Sequence, residues 1–123
     1  MTYAWIIAGA VAGAPLRYFL GSRVQEAMGG VFPWGTFAVN ISGCFALGLL
    51  IGLAEERDLL NREARLLLIT GFLGSYTTFS AFGWETYGLF RADDPWRGLA
   101  NAVGSVVLGV AAAWSGVMLA RLA

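Results

Sequence analysis

Histidine is missing from these 123 residues, cysteine occurs once, and charged side chains make up only 13%. With Cys44 as the only thiol, neither a His/Cys metal cluster nor an intrachain disulfide can form. The same gap removes most enzyme chemistry, because no nucleophile–base pair can be assembled. Formal net charge is zero and no polybasic segment stands out, which speaks against nucleic acid or a phosphate-rich partner. The N-terminus has neither a basic start nor a small-residue cleavage site, so its apolar run reads as a retained span. A soluble domain normally carries about 25% charged residues; this chain does not have the charge to cover a soluble surface.

What it has instead is 58% hydrophobic residues in long runs. Most of the acids gather at Glu55, Glu56, Asp58, Glu63, Asp93 and Asp94, and the stretches between them approach the roughly 20 residues that a helix needs to cross about 30 Å of hydrocarbon. Four spans are expected in one domain, at about 3–22, 34–54, 66–90 and 97–120. Backbone groups in hydrocarbon must be satisfied internally, and these segments are continuously apolar rather than alternating, so the expected fold is all-α. Short loops imply antiparallel neighbours. Gly29, Gly30 and Pro33 mark the first turn, and Trp5, Trp34, Trp84 and Trp96 lie near span ends as an aromatic belt would. Gly9/Gly13, Ala10/Ala14 and Gly48/Gly52 are spaced for close helix contact, and argue for tight packing and for a dimer. Cys44 sits in an apolar stretch and reads as a packing residue.

An even number of spans puts Arg57, Arg62, Arg65 and Arg121 on one side of the membrane. Arg23, Arg91 and Arg97 fall on the other, with Arg17 deeper in the first span. Counts this close select no orientation. They suggest insertion both ways round and an antiparallel pair of identical chains.

The polar residues inside the spans carry the chemistry. In the third span, Gly74-Ser75-Tyr76-Thr77-Thr78 weakens the helix near its middle, and exposed carbonyls there could hold a small alkali cation; the plain alternative is a Gly-Ser-Thr packing face. Phe79 and Phe82 share a helix face, and their positive ring edges could meet an anion, although a phenylalanine pair at this spacing is also ordinary core. In the second span, Thr36 and Asn40 are four apart, and Asn40 must meet either another helix or a permeating species. Asn101 and Ser105 repeat the pairing in the last span, and Ser80 adds a hydroxyl to the third. Arg17 either attracts anions at a pore mouth or snorkels to the interface, and Glu85 reads as structural.

Three stretches tie these residues together: Gly13 to Tyr18, Trp34 to Gly43, and Gly71 to Phe82 followed by Glu85. The Gly-Thr-x-x-x-Asn and Thr-Thr-Phe-Ser-x-Phe motifs within them resemble the Fluc (CrcB) family of small fluoride channels. Resemblance implies a passive, fluoride-selective channel in the cell (inner or plasma) membrane that exports fluoride from the cytoplasm to relieve its toxicity. It implies a dual-topology antiparallel homodimer, with a structural sodium ion (Na+) on the dimer axis held by backbone carbonyls of Gly74 and Thr77 at a break in the third helix. The family's pathway residues correspond to Asn40, Phe79 and Phe82. Ser75 and Tyr76 stand where the family often has glycine and another residue, Ala81 where Thr or Ser is common, and Asn101 where some relatives have an aromatic hydroxyl. Two rival readings are a proton-coupled multidrug exporter and a non-transporting scaffold. The first needs a carboxylate in the first span, whose only buried charge is Arg17; the second would be favoured by a purified protein without ion flux.

Overall fold

Apolar segments of this length, with every backbone group to satisfy, coil into helices, and the computed structural model describes residues 1–123 as helix and short turns without a strand. Helix α1 is Thr2–Met28 and α2 is Trp34–Glu55. The third span begins with α3, which covers 62–76: an α-helical turn Arg62–Ala64, a π-helical stretch Arg65–Leu73 and a further α-helical turn Gly74–Tyr76. It resumes as α4, Phe79–Arg91, and the last span is α5, Pro95–Leu122. All four spans are long and apolar enough to cross a membrane.

The first helix runs six residues beyond the expected limit at 22. Its polar end is held by Gln25, whose Nε2 donates to Gly30 O at 3.3 Å and Phe32 O at 3.1 Å while its Oε1 accepts from Gly35 N at 3.1 Å. One side chain thus ends α1, shapes the turn and caps α2, whose N-cap Pro33 offers no side-chain acceptor. The turn itself uses the expected glycines, with φ of 67° at Gly29 and 78° at Gly30.

Glycine governs how the helices meet. A Cβ on Gly9 or Gly13 would strike the backbone of Leu67 or Phe72, so α1 lies directly on the π-helical stretch. Gly48 faces Ala113 O, Gly52 faces Ala120 and Gly116 faces Phe45 O and Leu49 N, which brings α2 and α5 equally close. The pairs Gly9/Gly13 and Gly48/Gly52 are therefore consumed inside one chain and carry no argument for a dimer.

The N-terminus, the central loop and the C-terminus meet at one end, as an even span count requires. Arg62 Nη2 donates to Thr2 Oγ1 at 3.0 Å, Arg65 Nη2 caps α2 at Ala54 O at 3.1 Å, and Arg57 donates to Ala120, Arg121 and Ala123 carbonyls. Arg121 pairs with Glu56 at 2.7 Å. At the opposite end Asp94 caps α5 through Arg97 N and pairs with the Arg97 guanidinium, which holds its carboxyl below the usual range.

Gly116→Leu should lower the thermal midpoint in detergent, because overpacking a helix contact costs about 1–3 kcal/mol. Gly88→Ala, with nothing within 4 Å of the added carbon, should leave it unchanged or slightly raised. Equal midpoints for both variants would contradict the α2–α5 contact.

Candidate ion pathway at the break in the third span

The third span loses its helical ladder at two β-branched residues. Thr77 (φ −82°, ψ 159°) and Thr78 (φ −149°, ψ 113°) are extended, a conformation that suits threonine better than most residues. The break lies three to four residues beyond Gly74, which is itself helical (φ −61°, ψ −31°) in the turn leading up to it. Thr78 then starts α4 as its N-cap, its hydroxyl accepting from Ala81 N at 3.2 Å.

Extended backbone at membrane depth needs partners, and α2 supplies them. Asn40 Oδ1 accepts from Thr78 N at 2.8 Å and Asn40 Nδ2 donates to Thr78 O at 3.0 Å. The amide is a two-point clamp on one residue. Of the two alternatives for Asn40, the interhelical one is realised with one N–H, which leaves the second N–H of the amide for another acceptor. In a continuous α-helix Thr78 N would reach Gly74 O; here it goes to Asn40 instead. Arg17, from α1, extends Nη1 to Thr77 O at 3.4 Å.

Two cavities meet at this break. A polar mouth of about 710 Å³ is lined by Arg17, Thr36, Ser80 and Glu85 among others. A largely apolar cleft of about 380 Å³ is lined by Asn40, Gly74, Thr77, Phe79, Phe82 and Ser105 among others. Thr78 borders both. The phenylalanine rings lie 5.7 Å apart at 45°, and Phe79 is 84% exposed, far from core packing in the single chain.

The remaining expected residues divide. Thr36 donates to Glu85 Oε1 at 2.8 Å, while Glu85 Oε2 is buried without a partner. Asn101 is only 1% exposed and borders neither cavity. Its Nδ2 donates to Thr86 Oγ1 at 2.8 Å, that hydroxyl donates to Phe82 O at 2.7 Å, and Ser105 donates to Asn101 Oδ1 at 3.3 Å. Asn101 thus ties α5 to α4 behind the phenylalanine face, and Ser105 alone of the last span's polar pair reaches the cleft. Sequence reasoning passed over Thr78 as a separate site residue; a threonine one residue before a helical Phe-Ser-Ala-Phe run was the available N-cap signal.

The fit of an alkali cation can be judged from the same backbone. Gly74 and Thr77 both border the cleft, Thr77 lies outside any helix with its carbonyl shared by a long contact from Arg17, and the N–H that would have taken Gly74 O is diverted to Asn40. Neutral carbonyl oxygens of this kind suit such an ion.

The protein-family model described as CrcB-like protein, Camphor Resistance (CrcB), matches residues 4–117. Similar proteins named fluoride-specific ion channel FluC come from Solibacter usitatus (50% identical, covering 98% of this chain and 99% of the relative) and Solidesulfovibrio magneticus (47%, covering 94% and 92%). One from Streptomyces avermitilis, fluoride-specific ion channel FluC 1, is 45% identical over 98% of this chain and 97% of its own length. With the motifs, the broken third span and similarity over nearly the full length in agreement, the chain belongs to the CrcB family.

Proposed function

We propose that this chain is a passive, fluoride-selective ion channel of the cell membrane that lets fluoride leave the cytoplasm down its gradient. The observation that carries this reading is the clamped break, where Thr78 joins a polar mouth to a cleft edged by phenylalanine and the amide of Asn40. Fluoride is small and tightly hydrated, so a selective path must replace its water with several donors at close range. The second N–H of Asn40 and the Ser80 hydroxyl supply neutral donors. Ser105 and Thr36 line the path with hydroxyls that would have to turn from Asn101 and Glu85 to donate, and the edges of Phe79 and Phe82 supply partial positive charge. None of them is a fixed cation that would hold the ion too tightly to release, and conduction requires that balance. Arg17 lines the mouth, where its charge raises the local concentration of anions.

The working unit in this proposal is two copies in opposite orientations. Phe79 is largely uncovered in one chain, and the cleft beside it is bordered by Gly74, whose carbonyl has lost its usual helical N–H partner to Asn40. A second copy covers both, and the nearly equal arginine counts at the two ends favour the antiparallel arrangement. Gly74 and Thr77 of each chain would hold a structural sodium ion between the copies, supplying charge that favours an anion nearby. A proton-coupled exporter fits less well, because the first span holds Arg17 where that mechanism needs a mid-span carboxylate, and Glu85, in the third span, gives one of its oxygens to Thr36.

Reconstituted protein should release fluoride but not chloride from loaded liposomes, without dependence on a proton gradient; equal release of both halides defeats the proposal. Phe79→Ile and Phe82→Ile should each slow fluoride release about tenfold, the equivalent of about 1.4 kcal/mol of lost edge contact, with the assembly intact on gel filtration. Asn40→Asp should be slower than Asn40→Ala, since the carboxylate places negative charge in an anion path and repels Thr78 O. A single cysteine at the C-terminus, in a Cys44→Ala background, should react with impermeant reagent from both faces of the membrane; labelling from one face only would exclude the antiparallel pair.

A further inference from the structure

Tyr76 is one of the few buried large side chains, at 6% exposed, and no step of the permeation path uses it. It is the last helical residue before the break, and its ring stacks on Phe72 with centroids 5.9 Å apart and planes 5° from parallel. Its hydroxyl lies 2.9 Å from Ser42 Oγ, which also donates to Val39 O at 3.0 Å. Ser42 therefore accepts from the tyrosine, and the bond runs from the broken span to α2.

This bond has a definite relation to the Asn40 clamp. At about 100° per residue, Asn40 and Ser42 flank Gly43 on the surface of α2, about 60° to one side and about 100° to the other. Gly43 is where the broken span presses closest, for a Cβ there would overlap the Thr77 methyl and lie 3.4 Å from the Tyr76 ring. The break thus straddles α2 at a glycine, held on one flank by Asn40–Thr78 and on the other by Ser42–Tyr76. With only the first attachment, the extended residues could swivel about it, carrying Thr77 and the N-cap of α4 with them. Two attachments on opposite flanks stop that rotation. In hydrocarbon no water competes for the Ser42–Tyr76 bond.

We infer that Tyr76, acting through Ser42, is a positioning residue for the ion path: it fixes the rotation of the Thr77–Thr78 backbone about α2 and so the aim of the Asn40 amide and the Phe79 ring. This inference rests on the fluoride-channel reading. Ser75 touches α1 more loosely, its single hydroxyl proton shared between Phe72 O of its own span at 3.0 Å and Ala10 O at 3.4 Å.

The test compares Tyr76→Phe, which keeps the ring, with Ser42→Ala and the double variant in liposomes loaded with fluoride or chloride. Each single variant should slow fluoride release about threefold, the weight of one interhelical hydrogen bond in a membrane. The double variant should be no slower than either, the fluoride-to-chloride ratio should fall, and elution on gel filtration should match wild type. Wild-type rate and selectivity in Tyr76→Phe would overturn the inference. So would losses that multiply in the double variant, or a slower release accompanied by altered elution with the halide ratio unchanged, which marks a purely structural tyrosine. Wild-type liposomes that fail to release fluoride would overturn the channel reading itself, a result distinct from conducting wild type beside unaffected variants.

Discussion

A helix interrupted inside a membrane leaves peptide groups that hydrocarbon will not solvate, and the rest of this molecule is arranged around satisfying them. One asparagine amide serves both the N–H and the C=O of Thr78, because a carboxamide carries an acceptor and donors side by side. An aspartate could match only the N–H, and an alanine neither. The clamp in turn demands that α2 pass within hydrogen-bond reach of the break, which is possible because Gly43 carries no side chain at the crossing. Chemistry at the site and packing between spans are the same requirement seen at two scales.

The close helix contacts extend this logic through the molecule. Gly9 and Gly13 seat α1 on the π-helical stretch, while Gly48, Gly52 and Gly116 seat α2 against α5. Membrane helices gain little from hiding apolar surface, so association rests on close van der Waals contact and on hydrogen bonds between spans. Here glycine supplies the first and Asn40, Tyr76, Thr86 and Asn101 the second. The arginines at the loop-and-termini end act differently. Arg57 and Arg65 reach the carbonyls that close α5 and α2, where the helix dipole favours a cation.

Much of this arrangement was legible in the sequence, and the parts that were not share a cause. Apolar runs with acid-rich gaps placed the four spans, and Gly29-Gly30 placed the first turn. Glycine with threonine in mid-span announced a break, and Asn40 announced itself as an amide in need of company. Which residues of Gly74–Thr78 leave the helix, Thr77 and Thr78, depended on a partner 38 residues away in the chain. The extra length of α1 came from Gln25 bonding to a turn and to the next helix, again a contact between segments. Asn101 resembled a pore-lining residue because spacing reveals a shared face but not which neighbour that face meets. Composition likewise does not separate π-helix from α-helix between Arg65 and Leu73, since both bury apolar side chains and differ only in which carbonyl each N–H reaches.

That π-helical stretch gives the two spans that meet at the break unequal tolerance to changes in length. With i→i+5 bonding, Arg65–Leu73 holds more residues per turn than an α-helix, so losing one residue there leaves an ordinary α-helix able to deliver Thr77 and Thr78 to nearly the same place. Helix α2 has no such slack. One residue more or fewer between its contacts with α5 and Asn40 turns the amide about 100° away from Thr78. The second span is the ruler against which the site is measured, and the third carries the adjustment.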